Sequence, residues 1–158
     1  MDELTQRGMT ACFGYANFTA LTGAATTVTT GNTIDFSISG KFYTKANGAL
    51  TTPTTDGNDG TAMTLTANKA RAIVWGLDSG GNPKAYAGAI VDWDGTAFQV
   101  TPPFPSIPDS VCPIGYSILK AGSTLVGTFT VGSSNWNTTG MTNTIVSCAT
   151  LPERPQTA

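Results

Sequence analysis

A chain of 158 residues fits one domain, or one domain with arms, and can bury a core without disulfide staples. Only 11% of its residues are charged, against roughly 25% in an average soluble domain. The net charge is −2, and Arg7, Lys41, Lys45, Lys69, Arg71, Lys84, Lys120 and Arg154 are scattered, which argues against nucleic acid as a direct partner, since phosphate binding needs clustered positive charge.

Histidine is absent, which removes the Ser-His-Asp triad, the Cys-His pair and the commonest metal ligand. Cys12, Cys112 and Cys148 form no C-x-x-C pair and are odd in number, so they read as small buried thiols rather than a zinc site or a disulfide framework. The opening MDELTQRGMT has no apolar core, so no secretory signal is expected. No run approaches the ~18 apolar residues of a membrane span. The expectation is a chain made in a cytoplasm, with no membrane partner and no cofactor. About one residue in six is threonine. Thr, Val, Tyr and Phe suit pleated half-buried surfaces, and Gly and Asn suit turns.

In chain order, residues 1–12 are expected to form an N-terminal arm, 13–150 a single β domain and 151–158 a C-terminal tail. Phe13, Tyr15 and Phe18 interrupt a run of small residues. They read either as a first strand or as an arm that contacts a neighbour, with a mobile lead before them. Thr26 to Thr30 and Thr33 to Ser39 flank Gly31-Asn32, which allows a two-residue hairpin. Ile34, Phe36 and Ile38 alternate with polar residues as in a half-buried strand. Residues 40–45 continue or bend that strand. Ala46 to Gly60 is rich in Gly, Pro, Asn and Asp and reads as an exposed loop with little to bury. Met63 to Thr66 is a brief strand.

The clearest hairpin lies between Ala70 and Trp93. Ala72 to Leu77 and Lys84 to Val91 are apolar runs around a cluster of turn formers, Asp78 to Pro83. Ile73, Trp75 and Leu77 share one face, and Ala72, Val74 and Gly76 the other. On the return, Tyr86 and Ile90 oppose Ala85, Ala87, Ala89 and Val91. Strands apolar on both faces need cover on both, and a second subunit is one source of it. Trp93 to Thr96 is a turn, and Phe98 to Val100 at most a short strand. Thr101 to Pro108 is Pro-rich and should run extended, with Phe104 and Ile107 needing somewhere to sit. Ile114 to Lys120 and Leu125 to Val131 are expected to pair about a turn at 121–123. Gly132 to Thr142 is a polar loop carrying Trp136, and Thr144 to Cys148 a last short strand. Leu151 begins a tail with two prolines. The order of hairpin, crossover and hairpin predicts an all-β fold, an antiparallel β-sandwich or small β-barrel with extended terminal arms.

Candidate chemistry is sparse. Asp92 and Asp94 flank Trp93 and would share a side on an extended strand, the arrangement of a carboxylate pair for glycoside hydrolysis, but the turn at Gly95 favours a solvated strand end. Asp56 to Gly60 has a faint calcium-loop look, yet the twelfth position is Ala67 rather than glutamate. Trp75 reads as core. Trp136 reads as a loop anchor, a partner contact or a sugar platform. No enzyme is expected. The partner-contact candidates are Phe13, Tyr15, Phe18, Phe104, Ile107, Trp136 and Leu151.

The stretch PIGYSILKAGSTLVGTFTVGSSNWNTTGMTNTIV resembles small structural proteins encoded in tailed-phage head gene modules. The residues that carry it are Ile114, Gly115, Tyr116, Phe129, Gly132, Asn135, Gly140 and Thr142. Together with the preceding hairpin the likeness spans Arg71 to Val146. The resemblance implies a virion component, a capsid decoration or cement protein that binds the major capsid protein on the capsid surface, expected here as a homotrimer. The alternative is a tail or fibre component that takes a host surface glycan through Trp136 and the 132–142 loop.

Overall fold

The computed structural model describes residues 9–20, 28–153 and 155. Their strands are β1 (Ala11–Cys12), β2 (Phe18–Ala20), β3 (Val28–Thr30), β4 (Ile34–Ile38), β5 (Lys41–Lys45), β6 (Gly48–Leu50) and β7 (Thr64–Thr66). There follow β8 (Lys69–Leu77), β9 (Pro83–Ala87), β10 (Val91–Asp92), β11 (Cys112–Ala121), β12 (Thr128–Thr130) and β13 (Met141–Ser147), with no helix among the described residues. The largest sheet runs β10-β8-β11-β13, with β9 also on β8. Smaller sheets run β1-β4-β5, β2-β3-β6 and β12-β7. The fold is all-β, its antiparallel sheets are compatible with a sandwich, and no barrel closes among the described residues.

The centre is β8 against β11, in a register that sets Val74 opposite Tyr116 and Ile118 opposite Ala72. Alternation along β8 sorts its side chains as the sequence predicts. Ile73, Trp75 and Leu77 enter the main core, which also takes Phe18, Ile34, Phe36, Met63, Leu65, Phe129 and Trp136. Trp75 is buried against Phe18 and Trp136, and its Nε1 donates to Ser117 Oγ at 2.7 Å. Burying an indole N–H without an acceptor would be costly, so Ser117 is the residue that lets Trp75 sit there.

The opposite face of β8–β11 carries Val74, Tyr116 and Ile118 in a second cluster. Phe98, Phe104, Ile107, Val146, Cys148 and Leu151 pack on it, and the Phe104 ring meets Tyr116 edge-on at 5.0 Å. The chain thus covers this face itself, where a second subunit was one expected source. The Pro-rich crossover explains how. Prolines deprive it of ladder donors, so it lies across the sheet instead of joining an edge, and presents Phe104 and Ile107 inward. Gly88 makes the approach possible, because a Cβ there would lie 2.2 Å from Pro103 O. The same residue ends β9: Gly88 N donates to Ala72 O, and Arg71 donates Nε and Nη2 to Gly88 O. The expected return strand from Lys84 to Val91 is therefore split into β9 and β10.

Several expected pairings are corrected. Gly31-Asn32 does not join a hairpin: β3 pairs with β2 and β6, while β4 pairs with β1 and β5. Gly31 N and Asn32 N donate to Asn17 O and Ala16 O instead, which ties the turn to the earlier segment. The two-residue hairpin falls at Ser39-Gly40, both at positive φ (50° and 78°), where the turn twists with the strands it joins. The 46–60 loop contains β6 and buries Leu50, Thr52 and Asp56. Residues 125–131 do not pair with β11, whose edges are taken by β8 and β13; β12 pairs with β7. Phe98 makes only a single bridge, to Trp93.

The expected boundary at residue 12 falls within the folded unit, since Ala11 and Cys12 are buried and paired with Ser37 and Phe36. At the other end Leu151 packs on the second cluster. Of the mobile start expected before Phe13, residues 1–8 lie outside the described residues, as do the start of the strand at Thr26-Thr27 and the tail at 154 and 156–158.

Candidate functional site

The seven candidate contact residues separate into three groups. Phe18 and Trp136 are 3% and 8% exposed and belong to the chain's own core; Trp136 lies against Trp75 and Phe129. Neither can serve as a surface contact in this fold. Phe104, Ile107 and Leu151 are half-buried over the second cluster. Only Phe13 and Tyr15 stand out, at 51% and 62% exposure.

Phe13 marks the outer face of the β1-β4-β5 sheet, and Tyr15 stands two residues beyond it, outside the strands. Strand alternation turns Ile34, Phe36 and Ile38 of β4 into the core and Asp35 and Ser37 outward. Ala11 and Phe42 are the Cα partners of Ser37 on the two sides. Phe13 N donates to Asp35 O, so Phe13 continues the outward row of β1. The Phe13 and Phe42 rings stack at 5.5 Å across β4. Phe42 is 76% exposed and Met9, at 63%, extends the row. Ser37 lies beneath them, buried, and its hydroxyl donates to Met9 O. The other exposed apolar side chains, Ile90, Val100 and Val126, stand outside the strands.

Phe42 and Met9 were absent from the sequence candidates. A signal for Phe42 exists: Phe42 and Tyr43 are adjacent on one strand, so they face opposite ways. Tyr43 stacks on Phe36 in the core, which leaves Phe42 outside.

The polar candidates are each engaged locally. Asp92 pairs with Lys69. Asp94 accepts the backbone N–H groups of Ala97 and Thr96, which hold its carboxyl below the usual carboxylate range. The two carboxylates of the glycosidase reading are thus a strand-end ion pair and a turn cap. Asp56 accepts from Asn58 N and Ala87 N, pinning the 56–61 loop on β9. Asp59 accepts from the Thr61 hydroxyl and N–H, which lower its pKa. Among the described residues no group of three or more Cys, Asp and Glu side chains is placed to hold a metal ion.

Cys12, Cys112 and Cys148 are free thiols. Burial pushes Cys112 up to about 12 and Cys148 up to about 11, and it raises Cys12 as well. Thiols held protonated in this way are poor nucleophiles. A shallow cleft of about 400 Å³ lies between Thr51, Pro53 and Thr55 on one side and Asn82 to Ala85 on the other. Its one cation, Lys84, is spoken for by Asp78 at 3.5 Å.

No protein-family model matches the chain, and neither the curated proteins nor the solved structures give a match.

Proposed function

We propose that this chain is a binding module that works by surface contact rather than by catalysis. More specifically, it is a decoration or cement protein of a tailed-phage capsid, a homotrimer that attaches to the major capsid protein and ties neighbouring shell subunits together. The observation that carries the reading is the outer face of the β1-β4-β5 sheet, where Met9, Phe13 and Phe42 remain exposed, with Tyr15 exposed two residues past Phe13. The resemblance over Arg71 to Val146 supplies the phage context.

Magnitudes favour many weak contacts. Four such side chains, at ~200 Å² each and half to three-quarters exposed, offer roughly 500 Å² of apolar surface. At about 25 cal/mol per Å² its burial contributes about 12 kcal/mol before association costs of about 4–15 kcal/mol. One contact is therefore marginal, and a trimer with several engaged at once would hold. The glycan-binding alternative is weakened, because Trp136, its intended sugar platform, is buried.

The test is the abundance of the chain in purified virus particles from its source, by quantitative mass spectrometry. A copy number equal to that of the major shell protein, or about one third of it, is expected from a shell-wide trimeric cement. A few copies per particle would move the chain to the tail, and absence would end the virion reading.

A further inference from the structure

The binding face has an open edge, and that edge is basic. β5 is hydrogen-bonded to β4 on one side, and no strand among the described residues pairs with it on the other. Ile38 and Lys41 close the two-residue turn at Ser39-Gly40, so they form a hydrogen-bonded pair. Alternation then directs the N–H and C=O of Lys41, Tyr43 and Lys45 toward β4, and those of Phe42 and Thr44 away from it, to the open side.

The cations divide in the same place. Among the described residues, Lys69 pairs with Asp92 and Lys84 with Asp78. Arg71 donates to the carbonyls of Gly88 and Thr64, and Lys120 lies over the Trp93 and Phe98 rings. Lys41 and Lys45, at the two ends of β5, have no carboxylate, carbonyl or ring partner among the described residues. Asp35, opposite Thr44 on β4, accepts from the Thr44 hydroxyl and is the one carboxylate of the described sheet, so two lysines against it leave a local excess of positive charge on a chain whose net charge is −2.

We propose that the β5 edge takes an extended acidic segment of a partner protein by strand addition. Main-chain bonds would form to Phe42 and Thr44, carboxylates would lie against Lys41 and Lys45, and alternate apolar side chains would cover the Phe13–Phe42 pair. A second copy of this chain is the poorer occupant. Two β5 strands paired antiparallel about Tyr43 set Lys41 opposite Lys45 twice, and like charges directly opposite repel. Lysines on an edge strand block self-association in this way, and here they also select the sign of what can add. The inference rests on the binding reading and names the chemistry of the partner segment.

The test uses the full chain, labelled with nitrogen-15, and two hexapeptide probes of alternating Asp-Val and alternating Lys-Val. The acidic probe is expected to shift and protect the Phe42 and Thr44 amides, with the basic probe about tenfold weaker. Lys41→Glu with Lys45→Glu should reverse that order, Lys41 being exposed and Lys45 half-buried at the two ends of the strand, and Lys41→Glu alone should already weaken the acidic probe. Equal binding of the two probes, shifts confined to another surface, or no response at β5 overturns the proposal. Protection of Phe42 and Thr44 that grows with protein concentration alone also overturns it, in favour of a second copy. If the chain is abundant on particles but the acidic probe does not bind, the edge assignment fails and the proposed function stands.

Discussion

β11 and β5 each place an aromatic residue on the face that points away from the main core, Tyr116 on one and Phe42 on the other. Tyr116 is fully buried and Phe42 is 76% exposed. The local strand chemistry does not decide this. What differs is the chain that follows or precedes. β11 receives the Pro-rich crossover and the 146–151 segment over its far face, whereas β5 meets only β4 in its own sheet. A two-faced apolar strand reports a need for cover, and whether that cover comes from the same chain or another molecule depends on segments distant in sequence.

Breaking the covered region should cost most. Trp75→Ala removes the side chain that joins Phe18, Trp136 and Ser117, and should destabilise the fold by about 3–5 kcal/mol in urea titration. Gly88→Ala drives a Cβ into Pro103 O and should lift the crossover off Tyr116. The expected cost is about 1–3 kcal/mol, with a change in near-ultraviolet circular dichroism from the Phe104–Tyr116 pair. Ser117→Ala strands the buried Trp75 N–H and should cost about 1–2 kcal/mol by the same titration.

The thiols sharpen the comparison without mutation. In the fold Cys112 and Cys148 are held protonated to about 12 and about 11, up from 9.0. A raised acid pKa means that the folded state keeps a proton the unfolded state gives up. Their stabilisation is therefore complete below pH 9 and is lost progressively as pH rises from there through 11 and 12. Ellman's reagent at pH 8 should leave the native chain unlabelled and should react with all three thiols in urea. The smallest stability effect is expected on the open sheet. Phe42→Ser should shift the urea midpoint by less than about 1 kcal/mol, yet weaken attachment to particles.

Alternation in the sequence encodes which face a side chain takes and does not encode its strand partners. The faces of Ile73, Trp75 and Leu77 against Val74 followed from period two. Partners did not, because alternation says which way a side chain points and nothing about which strand lies alongside. Hence Gly31-Asn32 suggested a hairpin that hydrogen bonds to Asn17 and Ala16 preclude, and 125–131 was paired with a β11 whose edges are occupied. Asp56 was hidden for a different reason: its burial is satisfied by two backbone donors, and composition cannot show that. Trp136 sits in a polar loop, and only the tertiary fold turns it inward. Of the candidate surface, Phe13 and Tyr15 were legible as aromatics that interrupt a run of small residues. Phe42 required knowing that Tyr43 had taken the inner face.

The most direct measurement is hydroxyl-radical footprinting of the chain free and bound to particles. Labelling of Phe13, Tyr15 and Phe42 is expected to fall on attachment, while Phe104, Ile107 and Leu151 keep the same partial protection in both states. Unchanged labelling of Phe13 and Phe42 on a particle-bound chain would contradict the proposed contact face.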